Sequence, residues 1–190
     1  ERIAVDGNWL RDLAHYKLAY EQRLAEACRG NASPLTPACW LREVAAALPE
    51  NVVTIVDGNV AMAWAQHLLP AERPLSRLTP GANGCMGIGV PFSLGTCLAR
   101  PDQRVLAISG ELALGLSIMD LETAVRHRLP LVIIVANNSG SGGSLRQKAL
   151  WPADYPERIC QYTPGIRYDL IMQALGGEGV GVERVEEVAP

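Results

Sequence analysis

Three short apolar runs, each rich in β-branched residues, punctuate the chain: "NVVTIV" at 51–56, "RVLAIS" at 104–109 and "LPLVIIVA" at 129–136. Runs of this length predict buried strands, because a strand covered on both faces has no polar side to alternate with. Helical spacing fills the intervals. Leu, Ala, Arg and Glu dominate residues 2–28 and predict a first helix ending near Gly30. After the helix-breaking "NASPLTP", Thr36 as N-cap and Pro37 as first helical residue open a second helix through "ACWLREVAAAL", which stops before Pro49. "VAMAWAQHLL" predicts a third. A proline-punctuated loop then leads to "GANGCMGIGVPFSLGTCLA", a glycine-rich entry into another helix. "SIMDLETAVRH" and "YDLIMQAL" complete the helices, the latter stopped by Gly176–Gly177, and "VGVER" at 180–184 is expected as a last strand. The chain shows no internal repeat and no low-complexity linker.

Continuous apolar strands alternating with helices imply an α/β fold: a doubly wound parallel sheet with helices on both faces. Such sheets bind ligands beyond the carboxyl ends of their strands. Asp57-Gly58-Asn59, Gly110-Glu111 and Asn137-Asn138 all fall at such ends, so all three are expected to face one crevice.

Composition narrows the classes. A length of 190 residues, with 48% hydrophobic and 19% charged, is that of one globular domain with a sizeable core. A net charge of -3 argues against a nucleic-acid partner. No apolar run approaches the roughly 20 residues of a membrane span, and no signal peptide opens the chain. Five cysteines (Cys28, Cys39, Cys85, Cys97, Cys160) lie scattered without metal-ligand spacing, which points to reduced thiols and a cytoplasmic home. The start at Glu1 and the stop at "VEEVAP" read as a fragment, or as a chain with disordered ends.

The strand ends carry the chemistry. Magnesium takes oxygen ligands and usually shares its shell with phosphate and water. Glu111 offers a carboxylate, Asn138 an amide oxygen, and the Ser139–Gly140 turn a backbone carbonyl, which leaves room for two diphosphate oxygens and one water. Glycines around the turn let backbone approach phosphate closely. Each piece also has a plain reading. Asn-Asn before Ser-Gly is ordinary turn chemistry, and Glu after Gly is a favourable charge at a helix N-terminus.

Twenty-seven positions separate Glu111 from Asn138. That stretch resembles the cofactor signature of thiamine diphosphate enzymes, which begins Gly-Asp-Gly and ends Asn-Asn. The likeness spans about residues 36–185 and is nearest to the branch of acetolactate synthase, oxalyl-CoA decarboxylase and 2-hydroxyacyl-CoA lyase, whose helix "ALGLSIMDLETAVRHRLP" resembles in its Met, Glu-Thr, Arg and Leu-Pro. The resemblance implies a thiamine diphosphate-binding fold over residues 35–190, truncated at its C-terminus, with 1–34 a helical extension or linker. It implies thiamine diphosphate and Mg²⁺ as cofactors. Glu111, Asn138 and the carbonyl of Gly140 would ligate the metal. Asp57, Gly58 and Asn59 stand where the first strand touches the diphosphate, with Gly110, Leu112 and Ala113 beside it. Gly84 matches a carbonyl that accepts from the aminopyrimidine, and Met86 the bulky residue that bends the cofactor into a V. The implied reaction is decarboxylation of a 2-oxo acid, or ligation or cleavage next to a carbonyl.

Two features depart from the family pattern. Gly-Asp-Gly is here Gly110-Glu111-Leu112, with one added methylene and a Leu where Gly or Ser leaves the backbone free. Nothing resembles the pyrimidine-binding domain, whose glutamate activates the cofactor, so no catalytic residue is expected on this chain. Either the chain is one subunit of a split enzyme, with a separate pyrimidine-binding subunit as the expected partner in a hetero-oligomer (a dimer of heterodimers or larger), or it is cut from a longer one. The alternatives are a degenerate scaffold or regulatory subunit of the same fold, and an unrelated nucleotide-binding α/β module. Other residues read more plainly. His15, His67 and His127 lie far apart, "RHR" at 126–128 and Arg146 with Lys148 read as a solvated face, and Trp40, Trp64 and Cys85 as packing. "GSGGSLRQK" at 140–148 reads equally as a plain loop or as one ordered by cofactor or substrate.

Overall fold

The computed structural model describes residues 7–29, 35–69, 71–141 and 160–188, and within them the three apolar runs are strands. They are β1 (Val52–Asp57), β3 (Arg104–Gly110) and β4 (Leu131–Ala136); β2 is the two-residue strand Arg77–Leu78. All pair in parallel, in the order β2-β1-β3-β4. Asp57 lies opposite Ser109 and Gly110 opposite Ala136, so the tips of β1, β3 and β4 end level with one another. β2 sits inside the stretch expected to be loop. Two residues carry no periodicity by which sequence could reveal them.

The helices are α1 (Gly7–Ala27), α2 (Pro37–Ala47), α3 (Asn59–Leu68), α4 (Gly89–Ala99), α5 (Glu111–Gly115), α6 (Leu121–Arg126) and α7 (Tyr168–Ala174). Thr36 caps α2 as expected, its side chain accepting the Cys39 N–H, with Pro37 in the first turn. Alternate residues of each strand face opposite layers. Val56, Leu106 and Ile108 pack with Leu41 and Val44 of α2 and Ala61 and Ala65 of α3. Val53, Ile55, Val105 and Ala107 pack with Cys97 of α4 on the other face. Val90, Leu114 and Leu121 extend that second layer toward β4 and Tyr168. Helices thus cover both faces. Each fully buried Val or Ile contributes about 1.5–3 kcal/mol relative to exposure, which is why these runs are strands rather than surface segments. Trp40 and Trp64 pack against the first of these clusters.

Two details depart from expectation. "SIMDLETAVRH" is a 3-10 turn at Ile118–Asp120 followed by the short α6, not one helix. "VGVER" is not a strand: Val180 is 82% exposed, and the amides of Glu183 and Arg184 donate to Glu187 Oε2. Groups that a ladder needs are spent on that carboxylate, while the Gly179 carbonyl accepts from Gln173 of α7. The α1 helix forms, yet none of its residues is buried; Tyr20 joins it to α3 through a 2.6 Å hydrogen bond to His67 Nδ1. From position 142 onward the expected 140–148 loop, with Arg146 and Lys148, lies outside the described residues. Among the described residues no helix is long and apolar enough to cross a membrane.

Candidate functional site

From β1 the chain crosses through α3 to β2 on one side, and from β3 it crosses through α5 and α6 to β4 on the other. Connections that diverge in this way open a crevice between the two strand tips. The tips are Asp57–Gly58 and Gly110–Glu111, and they approach closely: a Cβ on Gly58 would lie 3.1 Å from Gly110 N. Ala113 is buried behind them, and Asn59 opens α3 on the exposed side.

Glu111, the first residue of α5, is only 4% exposed. Its Oε1 accepts the N–H of Asn138 at 3.1 Å and the N–H of Gly140 at 2.8 Å. The extra methylene therefore has a use: it carries the carboxylate across from the β3 tip to the turn after β4. No hydrogen bond reaches Oε2 among the described residues. The carboxylate thus has one oxygen anchored and one left to serve a ligand.

That turn is built for close approach. Asn137 Oδ1 accepts the Ser139 N–H in a local turn, and Ser139 takes φ +58°. The Asn138 side chain is exposed. Gly140 bridges antiparallel to Gln161, with ladder bonds at Tyr162 N–H to Ser139 O and Ser141 N–H to Cys160 O, which leave the Gly140 carbonyl outside the ladder. A Cβ on Gly140 would sit 2.7 Å from Cys160 O. Gly140→Ala is therefore expected to cost ~1–3 kcal/mol through overpacking, as a lower urea midpoint, and to weaken any ligand held by this turn.

Segment 160–168 forms the far wall of the site. An open cleft of about 550 Å³ lies between Glu111, Leu112 and Leu116 on one side and Tyr162, Thr163 and Tyr168 on the other. Leu112 is half-buried and faces this cleft rather than the core. Burial, and then the negative charge of Glu111, push the Tyr168 phenol above its ordinary range, so it stands as a neutral hydroxyl beside the carboxylate. None of these wall residues was marked by motif or spacing. They return to the Asn137–Ser141 turn only through the chain fold, and the one available hint was the pair of tyrosines flanking "TPGIR".

The glycine-rich loop flanks the same tips. Gly84 takes φ +62°, Met86 is 44% exposed, and a Cβ on Gly87 would meet Leu116 at 2.9 Å. Asp57 stands beneath this loop, fully buried, with its carboxylate turned to the loop amides. Of the residues expected at the site, Glu111 and Leu112 line the cleft; Asn138 and Gly140 join it through their amides on Glu111, Gly58 meets Gly110 and Ala113 at the strand tips, and Gly87, next to Met86, approaches Leu116 of the cleft wall. Asn59 and Asp57 stand two positions apart, yet Asp57 is buried under the loop and Asn59 is exposed.

Among the described residues no three His, Cys, Asp or Glu side chains converge. A cation here would depend on one carboxylate supplemented by amide and carbonyl oxygens and by its own phosphate, which is how magnesium is held beside a nucleotide or diphosphate. The free Oε2 of Glu111, the exposed Asn138 amide and the unladdered Gly140 carbonyl supply that set. The residues fit the group.

Comparison with known proteins identifies the family of the fold. Residues 57–190 match the family described as thiamine pyrophosphate enzyme, C-terminal TPP binding domain. Human 2-hydroxyacyl-CoA lyase 2 is 37% identical over 134 residues, 70% of this chain and 21% of that protein. Acetolactate synthase large subunit IlvG of Mycobacterium tuberculosis is 30% identical over 183 residues, 96% of this chain and 33% of its own length. The solved thiamine diphosphate-dependent 4-hydroxybenzoylformate decarboxylase of Rhodococcus jostii RHA1 superposes with a TM-score of 0.72 at 25% identity, over 84% of this chain and 30% of that one. The chain spans a fifth to a third of the length of these relatives.

Proposed function

The chain belongs to the thiamine diphosphate-dependent enzymes, and we propose that it holds the diphosphate and magnesium end of the cofactor within one of them. One observation carries this reading: a buried carboxylate at the β3 tip is anchored to the amides of the turn after β4, with its second oxygen left over. Glu111, Asn138 and the Gly140 carbonyl would bind magnesium. Gly58, Gly110, Leu112 and Ala113 would lie along the diphosphate, and Met86 would support the bend between the cofactor rings, with the Gly84 carbonyl toward the aminopyrimidine. When bound, the cofactor supplies an electron sink for breaking or forming a carbon–carbon bond next to a carbonyl. The relatives' names, a lyase and an acetolactate synthase, favour a 2-oxo acid or a 2-hydroxyacyl thioester as substrate.

Activity would require a pyrimidine-binding domain from a partner polypeptide, in a hetero-oligomer. Exposed apolar side chains support that: Phe92 and Leu98 on α4, and Leu116 and Met119 beside it, are 41–71% exposed, where α4 packs against α5 and the turn that follows. Large exposed apolar surface of this kind marks an interaction face.

Leu112 favours a second reading, a non-catalytic subunit, because it lines the cleft. Leu112→Gly decides between them. On the enzymatic reading the variant loses about 1 kcal/mol of stability from helix propensity and keeps its cofactor affinity within about threefold. A tenfold or greater gain in affinity would identify the native site as impaired. Titration calorimetry with thiamine diphosphate and magnesium tests the reading as a whole: saturable, magnesium-dependent binding is expected, and its absence would defeat it.

A further inference from the structure

Asp57 is the most enclosed carboxylate among the described residues, at 0% exposure. Its Oδ2 accepts the N–H of Gly87 at 3.0 Å and of Gly89 at 2.7 Å. Its Oδ1 is buried with no hydrogen-bond partner among the described residues. Such a group costs stability relative to an apolar side chain of the same size, so its presence points to a task beyond packing. The loop is cut to fit it. Gly87 takes φ +94°, a Cβ there would strike Leu116 at 2.9 Å, and a Cβ on Gly89 would lie 3.2 Å from Asp57 Oδ2. A side chain at either position would push the loop off the carboxylate or off Leu116. Met86 directly precedes the first clamped amide and is itself 44% exposed, so its place depends on this backbone tether more than on packing of its side chain.

We propose that Asp57 is a positioning residue: it clamps the Gly87 and Gly89 amides and thereby holds Met86 where the cofactor bends. This rests on the thiamine diphosphate reading above and replaces a direct diphosphate contact for Asp57. Two amides converging on one buried oxygen are enough to fix a short loop, and a loop held from below by β1 moves with the strand tip rather than with solvent.

The test uses the full chain in two measurements. Amide hydrogen exchange on cofactor-free protein reads the clamp, and titration of thiamine diphosphate with magnesium reads its consequence. Asp57→Ala is expected to speed exchange at Gly87 and Gly89 at least tenfold while β1 and β3 stay protected, and to raise the cofactor Kd at least tenfold. Asp57→Asn, which keeps an oxygen for both amides, should stay within threefold of the parent in both, and carries the test alone if the alanine variant does not fold. In the Asp57→Ala/Met86→Ala double variant the Kd should rise no more than in the worse single variant, because both act through one loop. Unchanged exchange in Asp57→Ala, a tenfold loss of affinity in Asp57→Asn, or fully multiplicative losses in the double variant would each overturn the proposal. If the parent binds no cofactor, the functional reading fails, while the exchange measurement still judges the clamp.

Discussion

Glu111→Ala is expected to weaken magnesium-dependent thiamine diphosphate binding about a hundredfold, equivalent to ~3 kcal/mol. Two losses combine in that variant. The buried amide of Gly140 and the part-buried amide of Asn138 lose their acceptor, at about 1–3 kcal/mol for a buried donor left unsatisfied, and the metal loses the one carboxylate of its proposed shell. Glu111→Gln separates them. The amide oxygen of Gln still accepts from both turn amides, so the unfolding free energy from urea titration should fall by less than about 1 kcal/mol. The charge is gone, so affinity should fall nearly as far as in the alanine variant. Calorimetric titration of parent and both variants at saturating magnesium checks this. A Gln variant that binds like the parent would reduce Glu111 to an anchor for the turn and remove it from the metal.

The anchoring of Glu111 also shows how far sequence could reach. β1, β3 and β4 were legible because strands covered on both faces leave an unbroken apolar record, and the α2 boundary because Thr36 accepts an orphan amide of the helix start and Pro37 has no amide to leave unpaired. Glu111 and Asn138 were legible as a pair only through their spacing and family likeness. The route between them, an Oε1 shared by two backbone amides, uses groups present at every residue and so leaves no mark in side-chain identity. Asp57 shows the same limit. Its position at a strand tip is readable, but the direction of its carboxylate is set by Gly87 and Gly89, 30 and 32 residues away in the chain. The far wall at Tyr162 and Tyr168 depends on a chain return that no local pattern encodes. "VGVER" was misjudged for a related reason: its alternation suits a strand, yet Glu187 takes the amides that a strand would need. The unrelated nucleotide-binding alternative, open on sequence alone, is closed by the family match over residues 57–190.

Turnover by the purified chain alone is expected to be undetectable, and to appear when a pyrimidine-binding partner is supplied. The described residues around the cleft offer one carboxylate, and it is committed to the turn on one oxygen and, as proposed, to the metal on the other. Among the described residues no second acid lines the cleft to exchange a proton with the far ring of the cofactor. A positioned general acid contributes about 10²–10⁴-fold, so its absence alone would hide activity even if cofactor bound. The partner should also shelter the apolar face on α4. Leu98, 71% exposed, supports none of the core, so Leu98→Asp should leave the unfolding free energy within about 0.5 kcal/mol of the parent. The same change places a charge inside the proposed interface, where burying it unpaired is costly, and should abolish both capture of the partner and the turnover that capture confers. Carbon dioxide release from 2-oxo acids, measured with chain alone, partner alone and both together, decides the matter. Turnover by the isolated chain would place the activating acid within its own residues and defeat the split-enzyme reading.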